Sequence, residues 1–269
     1  MFDTFLVEPI INVLIAIYKV LVFLHIPSPL GFSVILLTVL IRFILYPFTA
    51  SQLKASSKMQ KVTPHLHTLK ELHKGDSKRL QEETMKLYKE HGINPAAGCL
   101  PVVIQLPIIW ALYSVLGKIV ALKPDMVLSE INKVLYFDWL QLTSTWDARF
   151  LGIPLSQSPS QLIQTMYLII LIPVATGVFQ FIQSKMMYVK TPVRSKNNPS
   201  SSGDDFSSAF QTQSMYIFPV MIGFFSYSLP IGLSLYWNTF TVFGILQQHK
   251  ISGLGGLAEW VEKLNKNKK

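Results

Sequence analysis

Long uncharged apolar runs limit most strongly how this chain can fold. Cys99–Gly117 and Met166–Ile182 contain no charged residue, and Gly31–Phe48 contains only one, Arg42. As helices that rise about 1.5 Å per residue, these runs are each about long enough to cross the hydrocarbon core of a bilayer. Half of all residues are apolar and only 14% are charged, which also favours a membrane protein. The sequence therefore predicts an all-α membrane protein with several spans.

A fourth apolar run, Met215–Leu246, is too long for one span. As a single helix it would measure about 48 Å, whereas a hydrocarbon core is about 30 Å thick. Pro230 and Gly232 lie near its middle, where proline removes a helix hydrogen bond and glycine permits a reversal. We predict two spans in this run and five transmembrane helices in the whole chain.

The charges between the runs predict the orientation. Residues 54–91 carry nine Lys and Arg against five Asp and Glu, whereas residues 118–163 carry four of each sign. Residues 185–212 carry four basic residues against two acidic ones, and the tail from His249 carries five against two. Because basic loops stay in the cytoplasm, we predict an extracytoplasmic N-terminus and a cytoplasmic C-terminus.

The predicted organisation, in chain order, is an N-terminal extracytoplasmic interfacial helix (1–29), a first span (30–53), a cytosolic helical hairpin (54–96), a second span (97–118), an extracytoplasmic loop (119–163), a third span (164–187), a cytosolic loop (188–212), a fourth span (213–229), a fifth span (230–249) and a basic cytosolic tail (250–269). The hairpin is predicted as two polar helices that break at Gly75-Asp76 and stop at Gly92. It is either a solvated connector or a mobile element that meets a substrate or partner. Thr191–Thr212 is predicted to be a flexible linker.

The first thirty residues have two interpretations. Phe5–Phe23 is strongly apolar, but Glu8, Pro9 and Lys19 interrupt it, and it lacks the basic start and the small-residue cleavage site of a signal peptide. We prefer a helix that lies in the outer membrane interface. The alternative is a sixth, uncleaved span.

Arg42 is the sharpest functional signal. A charged side chain at mid-span costs about 2.5 to 3.5 kcal/mol on insertion scales, so it is seldom present without a use. An internal ion pair is the structural alternative, but none of the five predicted spans contains Asp or Glu. We therefore favour a hydrated functional cavity in which water or a visiting ligand satisfies the guanidinium. Other polar residues at membrane depth could line it or could form ordinary interhelical hydrogen bonds: Gln105, Gln180, Gln183, Trp237 and Asn238.

Several ordered motifs resemble YidC-type insertases of the Oxa superfamily. Gly31–Leu36, Ile41-Arg42 and Tyr46-Pro47 resemble the first core span of that family. The second core span and the closing hairpin are matched by His91–Pro95, Gly98–Pro101, Ile104–Ile108, Phe218-Pro219 and Leu229–Trp237. The resemblance runs from about Gly31 to Gln248, without a large extracytoplasmic domain before the core and without a lipobox cysteine.

The resemblance implies a five-helix core around a hydrophilic groove that is open to the cytoplasm and contains Arg42. It makes Gln105, Gln183 and Trp237 the favoured further groove residues. Gln180 and Asn238 rank below these three. It also implies a bacterial plasma membrane protein that inserts and assists the folding of client membrane proteins. A monomeric core is expected, and whether the chain works alone or beside the Sec translocon stays open.

Our hypothesis for the mechanism is electrostatic. Arg42 transiently attracts the acidic extracytoplasmic part of a client, and apolar span surfaces then lead the client helix into lipid. No bond chemistry is needed, and the sequence offers no catalytic residue, metal site, cofactor or phosphate-binding glycine loop. The basic tail, with Lys263, Lys266, Lys268 and Lys269, either contacts ribosomal RNA or anionic lipid, or is a simple positive-inside anchor.

Two rival functions belong to other classes. Gly232-Leu233-Ser234 matches a G-x-S pattern, which would suggest an intramembrane serine protease. A nucleophilic serine needs a base in reach, but five of the six histidines lie outside the predicted spans, and His249, the last residue of the fifth span, is roughly two turns or more along the helix from Ser234. A small-solute transporter would be expected to show inverted repeats or a paired charge network, and neither is visible.

Overall fold

The computed structural model describes residues 3–73, 75–93, 100–120, 124–187, 202–258, 260 and 262. Its helices are α1 (Glu8–Phe23, preceded by a π-helical turn Asp3–Val7), α2 (Pro29–Ile44), α3 (Tyr46–Leu72), α4 (Ser77–Glu90), α5 (Leu100–Val120), α6 (Pro124–Asn132), α7 (Pro159–Leu162), α8 (Leu171–Met187), α9 (Ser202–Ser228) and α10 (Ile231–Ser252). Two-residue strands β1 (Arg149–Phe150) and β2 (Ile153–Pro154) pair antiparallel. The predicted all-α class is confirmed.

The chain divides into two compact units. The first unit consists of Met1–Leu45, Val102–Phe179 and Met221–Phe243, and the second of Tyr46–Pro101, Gln180–Val220 and Gly244–Lys269. The first unit contains the main apolar core, to which α1, α2, α5 and the start of α10 contribute. Leucine, isoleucine and valine side chains from these helices are almost completely buried there, among them Ile11, Leu14, Leu30, Leu37 and Leu112.

The β1–β2 hairpin fixes the start of α2. Leu151 and Gly152, between the strands, both have positive φ angles (50° and 85°), as a two-residue turn of the I′ type requires. The Leu151 backbone N–H donates to the hydroxyl of Ser28, 3.0 Å away, immediately before α2. The ring of Phe150 then covers Gly31, where a side chain would collide with it.

The segment after the hairpin caps α10. The first backbone N–H groups of a helix have no partner within the helix. Here Ile231 N–H donates to the Gln157 carbonyl and Gly232 N–H donates to the Leu155 carbonyl, each at 2.9 Å. Pro230, which lacks an N–H, directly precedes this first turn. The predicted break of the Met215–Leu246 run at Pro230 is present, since α9 ends at Ser228 and α10 begins at Ile231.

The first predicted span is divided between two helices. The sequence predicts one span over residues 30–53, with Arg42 at its centre, but α2 ends at Ile44 and a new helix begins at Tyr46. Pro47 explains the break, because proline removes a backbone donor and clashes with the preceding turn. Arg42 therefore lies in the last turn of α2 and not in mid-helix.

The fourth apolar helix begins earlier than predicted. The flexible linker predicted over Thr191–Thr212 lies outside the described residues up to position 201, and from Ser202 onward the chain is already part of α9. The sequence is compatible with this start, since Asp204 and Asp205 are acidic and acidic residues are favoured in the first turn of a helix. Residues 202–212 are thus helical and do not form an irregular linker.

The two helices of the polar hairpin end at the glycines that the sequence predicts as helix ends. Gly75, with φ +92°, and Asp76 lie between α3 and α4, and Gly92, with φ +59°, follows α4. The Asp76 carboxylate accepts the backbone N–H of Arg79 at 3.0 Å, which is a standard N-cap.

Two helical segments of the described residues are long and apolar enough to cross a membrane alone, Asp3–Phe23 and Tyr167–Met187. Pro29–Ile44 and Tyr46–Met59 qualify only as a broken pair, and Leu106–Gly117 and Met215–Ser228 are shorter apolar helices. The count of five spans stays a prediction, as does the choice between an interfacial and a spanning N-terminal helix.

Replacing Gly31 by Ala should destabilise the first unit, because the added methyl group would collide with the Phe150 ring. Overpacking of this kind costs roughly 1 to 3 kcal/mol. Thermal unfolding in detergent measures the effect. Gly117→Ala is the matched control, since nothing lies within 4 Å of the methyl group it would add. An equal melting temperature for both variants would contradict the packing role of Gly31.

Candidate functional site

Arg42 is buried and is partly satisfied from inside the chain. Only 5% of the residue is exposed. Its Nη2 atom donates to the Phe240 carbonyl oxygen at 2.6 Å, and its Cζ atom lies 3.4 Å from the centroid of the Phe240 ring. Both contacts stabilise a cation, the first through the carbonyl dipole and the second through the negative face of the ring. The position in the last turn of α2 adds the negative end of the helix dipole.

Aromatic packing holds Phe240 in place. The Tyr236 and Phe240 rings lie one helical turn apart on α10, with their centroids 5.8 Å apart, and Tyr236 is almost completely buried. The Phe43 and Phe243 rings make a second contact between α2 and α10 at 5.2 Å, edge to face. The ring and the carbonyl that bind the guanidinium are therefore held in position by these aromatic contacts.

Part of the polar surface around this helix pair is left open. Arg42 Nε, Asn238 Oδ1 and Thr241 Oγ1 are buried, and none of the other described residues gives them a hydrogen bond. Buried polar atoms in proteins are nearly always bonded to protein or to water. One donor of the guanidinium and two acceptors on α10 can thus bond to water or to another molecule.

The six predicted site residues divide between the two units. Arg42, Trp237 and Asn238 belong to the first unit, in which Trp237 and Asn238 are half-buried and directly precede the turn that contacts Arg42. Gln180 is buried and Gln183 half-buried on α8, and both belong to the second unit. Gln105 lies on α5, and its side chain is outside the described residues.

Sequence reasoning missed Phe240 and Thr241. It recognised that the spans offer Arg42 no carboxylate, but it assigned the guanidinium to water and ligand alone. A phenylalanine in an apolar run carries no sign that its ring and its carbonyl will receive a cation.

The second unit has a polar cluster of its own. The Gln247 carboxamide donates to the Thr49 hydroxyl, and the Ser252 hydroxyl donates to the Leu53 carbonyl at 3.4 Å. Gln247 Oε1 and Gln52 Nε2 are buried without a hydrogen bond from the rest of the described chain. One acceptor and one donor are thus open here too, so this cluster can take water or a peptide group.

Ser234 belongs to a closed chain of hydroxyl groups. The Ser226 hydroxyl lies 2.8 Å from that of Ser234 and 3.1 Å from that of Thr176, and all three residues are at least 95% buried. Thr176 donates onward to the Ile172 carbonyl at 2.8 Å. Hydroxyls and carbonyls cannot remove a proton from a serine at neutral pH. This arrangement joins α8, α9 and α10 and does not activate Ser234 as a nucleophile.

Comparison with known proteins identifies the family. A model of the 60Kd inner membrane protein family matches residues 21–254. The chain belongs to this family. It is 32% identical over 225 residues to the membrane protein insertase YidC of Fusobacterium nucleatum, covering 84% of this chain and 87% of the relative. It is 33% identical to the insertase YidC 1 of Halalkalibacterium halodurans, covering 83% of this chain and 70% of the relative.

Other family members are longer than this chain. The chain is 31% identical to the insertase YidC of Streptomyces avermitilis, over 88% of this chain but only 56% of that relative. A solved structure described as an active YidC insertase with its first transmembrane domain resolved matches with a TM-score of 0.51 and 26% identity. That match covers 86% of this chain and 45% of the solved one. The predictions of an insertase, and of a protein that is not an enzyme, are confirmed at the level of the family.

Replacing Phe240 by Leu should weaken the binding of an anionic peptide to Arg42. The ring that holds the guanidinium in position through the cation–π contact is lost, while the backbone carbonyl stays. Such contacts are worth about 0.5 to 2 kcal/mol, so the affinity of the site for an anionic peptide should fall about twofold to thirtyfold. Phe240→Tyr keeps a ring and should bind normally. Equal binding by the Leu and Tyr variants, measured with the purified protein, would show that the ring contributes nothing.

Replacing Ser234 by Ala should reduce stability and leave function intact. Loss of one member of a buried hydroxyl chain costs about 1 kcal/mol, which thermal unfolding can measure. Ser228→Ala is the control, since Ser228 is exposed and bonds only within α9. A loss of insertion activity by Ser234→Ala at unchanged stability would instead support a catalytic serine.

Proposed function

We propose that this chain inserts client proteins into the plasma membrane of a bacterium and assists their folding, with Arg42 as the group that attracts the client. The relatives named above are membrane protein insertases, which supports the activity. The observation that carries the role of Arg42 is its half-satisfied state. Its charge is held by Phe240 but is not neutralised, and its Nε atom has no hydrogen bond within the described chain.

The proposed step is an electrostatic capture that is followed by transfer to lipid. A client approaches from the cytosol with the acidic segment that will become extracytoplasmic, and Arg42 attracts its carboxylates. Water in the groove keeps the effective dielectric intermediate, so the attraction amounts to a few kcal/mol at most. This weak attraction permits release.

Hydrophobic transfer drives the second half of the proposed step. The apolar helix of the client leaves the groove for the bilayer and gains roughly 25 cal/mol for each Å² of apolar surface removed from water. Insertion therefore needs neither a nucleotide nor a covalent intermediate. The open polar atoms of Asn238 and Thr241 fit a surface that a hydrated polypeptide segment contacts.

The proposal includes the predicted topology of five spans, with an extracytoplasmic N-terminus and a cytoplasmic tail. Asn12 and Lys19 on α1 bind irregular backbone of the predicted outer loop, and irregular backbone is excluded from the hydrocarbon region unless protein buries it. This supports an interfacial position for α1. The tail lysines at 263, 266, 268 and 269, proposed to meet the ribosome or anionic lipid, lie outside the described residues. A monomeric core completes the proposal.

Replacing Arg42 by Ala should abolish insertion of clients whose extracytoplasmic segments are acidic. The reason is the loss of the only cation proposed to meet those carboxylates, and a loss of a few kcal/mol corresponds to a decrease of at least about tenfold. Reconstituted proteoliposomes that receive one client with an acidic segment and the same client with a neutral segment measure the difference. The neutral client should insert nearly as well as before.

Two further variants make this test specific. Arg79→Ala removes an exposed arginine from α4 and should leave both clients unaffected, whereas Arg42→Lys keeps the charge and should retain part of the activity. Full insertion of the acidic client by Arg42→Ala would eliminate the capture step.

A further inference from the structure

The segment between α6 and β1 has no regular structure except the 3-10 turn Asp138–Leu140, yet side chains bond several of its backbone groups. Two asparagines bond its backbone. Asn12 on α1 donates to the Val134 carbonyl and accepts the Tyr136 N–H, each at 2.8 Å. Asn132 donates to the Leu142 carbonyl at 3.0 Å and accepts the Leu142 N–H at 2.9 Å.

A lysine satisfies the middle of the same segment. The Lys19 ammonium donates to the Trp139 carbonyl at 2.6 Å and to the Gln141 carbonyl at 2.7 Å. Three side chains, two of which come from α1, therefore satisfy six backbone groups of one irregular segment. A loop that water surrounds does not need this arrangement, because water bonds exposed carbonyls freely.

The segment buries its leucines but exposes its large aromatic side chains. Leu140 and Leu142 fill the core of the first unit, while Tyr136, Phe137 and Trp139 are 52%, 58% and 61% exposed. The rings of Phe137 and Trp139 stack with their centroids 6.3 Å apart. Three large aromatic side chains are thus presented outward within four residues.

Helix α1 extends this surface. Phe23 lies one helical turn after Lys19, on the same side of the helix, and is 81% exposed. Because Lys19 reaches the backbone of Trp139, the Phe23 ring belongs to the same region. We call Phe23, Tyr136, Phe137 and Trp139 the aromatic patch. Val20 and Leu24 continue it along α1 as further exposed apolar residues.

We propose that the aromatic patch is a lipid contact and that it anchors this segment in the headgroup region of the bilayer. Satisfied backbone groups and exposed aromatic rings are the two features that an irregular segment needs at the boundary with lipid. Tyrosine and tryptophan are enriched there because one end of each ring is apolar and the other polar. Lys19 and the exposed Asp138 supply charges that the headgroups can hydrate. The inference does not depend on the insertase mechanism.

The experiment uses the full chain in liposomes and a single tryptophan at position 139, with Trp110, Trp146, Trp237 and Trp260 replaced by Phe. Lipids brominated near the headgroup end of their acyl chains should remove most of the Trp139 emission. Lipids brominated near the chain ends should remove less, and aqueous iodide should remove little. The matched control keeps only Trp146, which packs against Tyr18, and it should respond weakly to both brominated lipids.

A second measurement avoids the multiple tryptophan replacements. Cys99 is the sole cysteine, so Cys99→Ser combined with Phe137→Cys carries one spin label. Its collisions with oxygen should exceed those with a water-soluble nickel chelate, and the reverse should hold for a label at Ser144→Cys, an exposed polar position of the same segment.

Three outcomes would overturn the proposal. The first is strong iodide quenching of Trp139 without quenching by either brominated lipid, which would place the aromatic patch in water. The second is a Phe137→Cys label that collides as freely with nickel as the Ser144→Cys label does. The third is exclusion of both oxygen and nickel from the Phe137→Cys label in native membranes but not in liposomes, which would show a protein partner in place of lipid.

Discussion

The burial of one guanidinium sets the conditions for the first unit. A cation away from bulk water must be solvated by the protein, and α10 provides this with the carbonyl and the ring of Phe240. The arrangement works only if α2 and α10 lie against each other at the depth of Arg42. The Phe43 and Phe243 rings supply that contact, the Tyr236 ring holds Phe240 from within α10, and the carbonyls that cap the first turn of α10 fix where the helix begins.

The same requirement, that polar groups find partners away from water, explains the other polar contacts of this unit. Thr176, Ser226 and Ser234 satisfy one another and join three apolar helices. Asn12, Lys19 and Asn132 satisfy an irregular segment that neither a helix nor a sheet could satisfy. In each case, short polar side chains replace the bonds that water would otherwise make.

The sequence predicted the parts of this protein that depend on local chemistry. Local residue preferences predict the apolar runs, the reversal at Pro230 and the helix ends at Gly75 and Gly92. The break at Leu45 was missed because hydropathy continues through Tyr46-Pro47, and the start of α9 was missed because a Ser- and Asp-rich stretch fits both a linker and a first helical turn. The partner of Arg42 could not be predicted, since it depends on a contact between residues 198 positions apart and on a side chain that looks purely apolar.

The contrast between closed and open polar groups separates architecture from the proposed function. The hydroxyl chain through Ser226 is closed, because each hydroxyl meets another hydroxyl or a carbonyl, and replacing one member changes stability. Arg42 differs. The Phe240 ring covers the plane of its guanidinium and the Phe240 carbonyl accepts from one donor, while Nε stays open to a client. A fully satisfied guanidinium would have nothing to offer a client, and a fully unsatisfied one would cost too much to bury. Partial satisfaction by a neutral ring and a carbonyl keeps the charge in place at moderate cost. An internal carboxylate would have neutralised the charge and competed with every client. The helices that the structure describes next to Arg42 offer no such carboxylate, so the charge can still attract a client weakly.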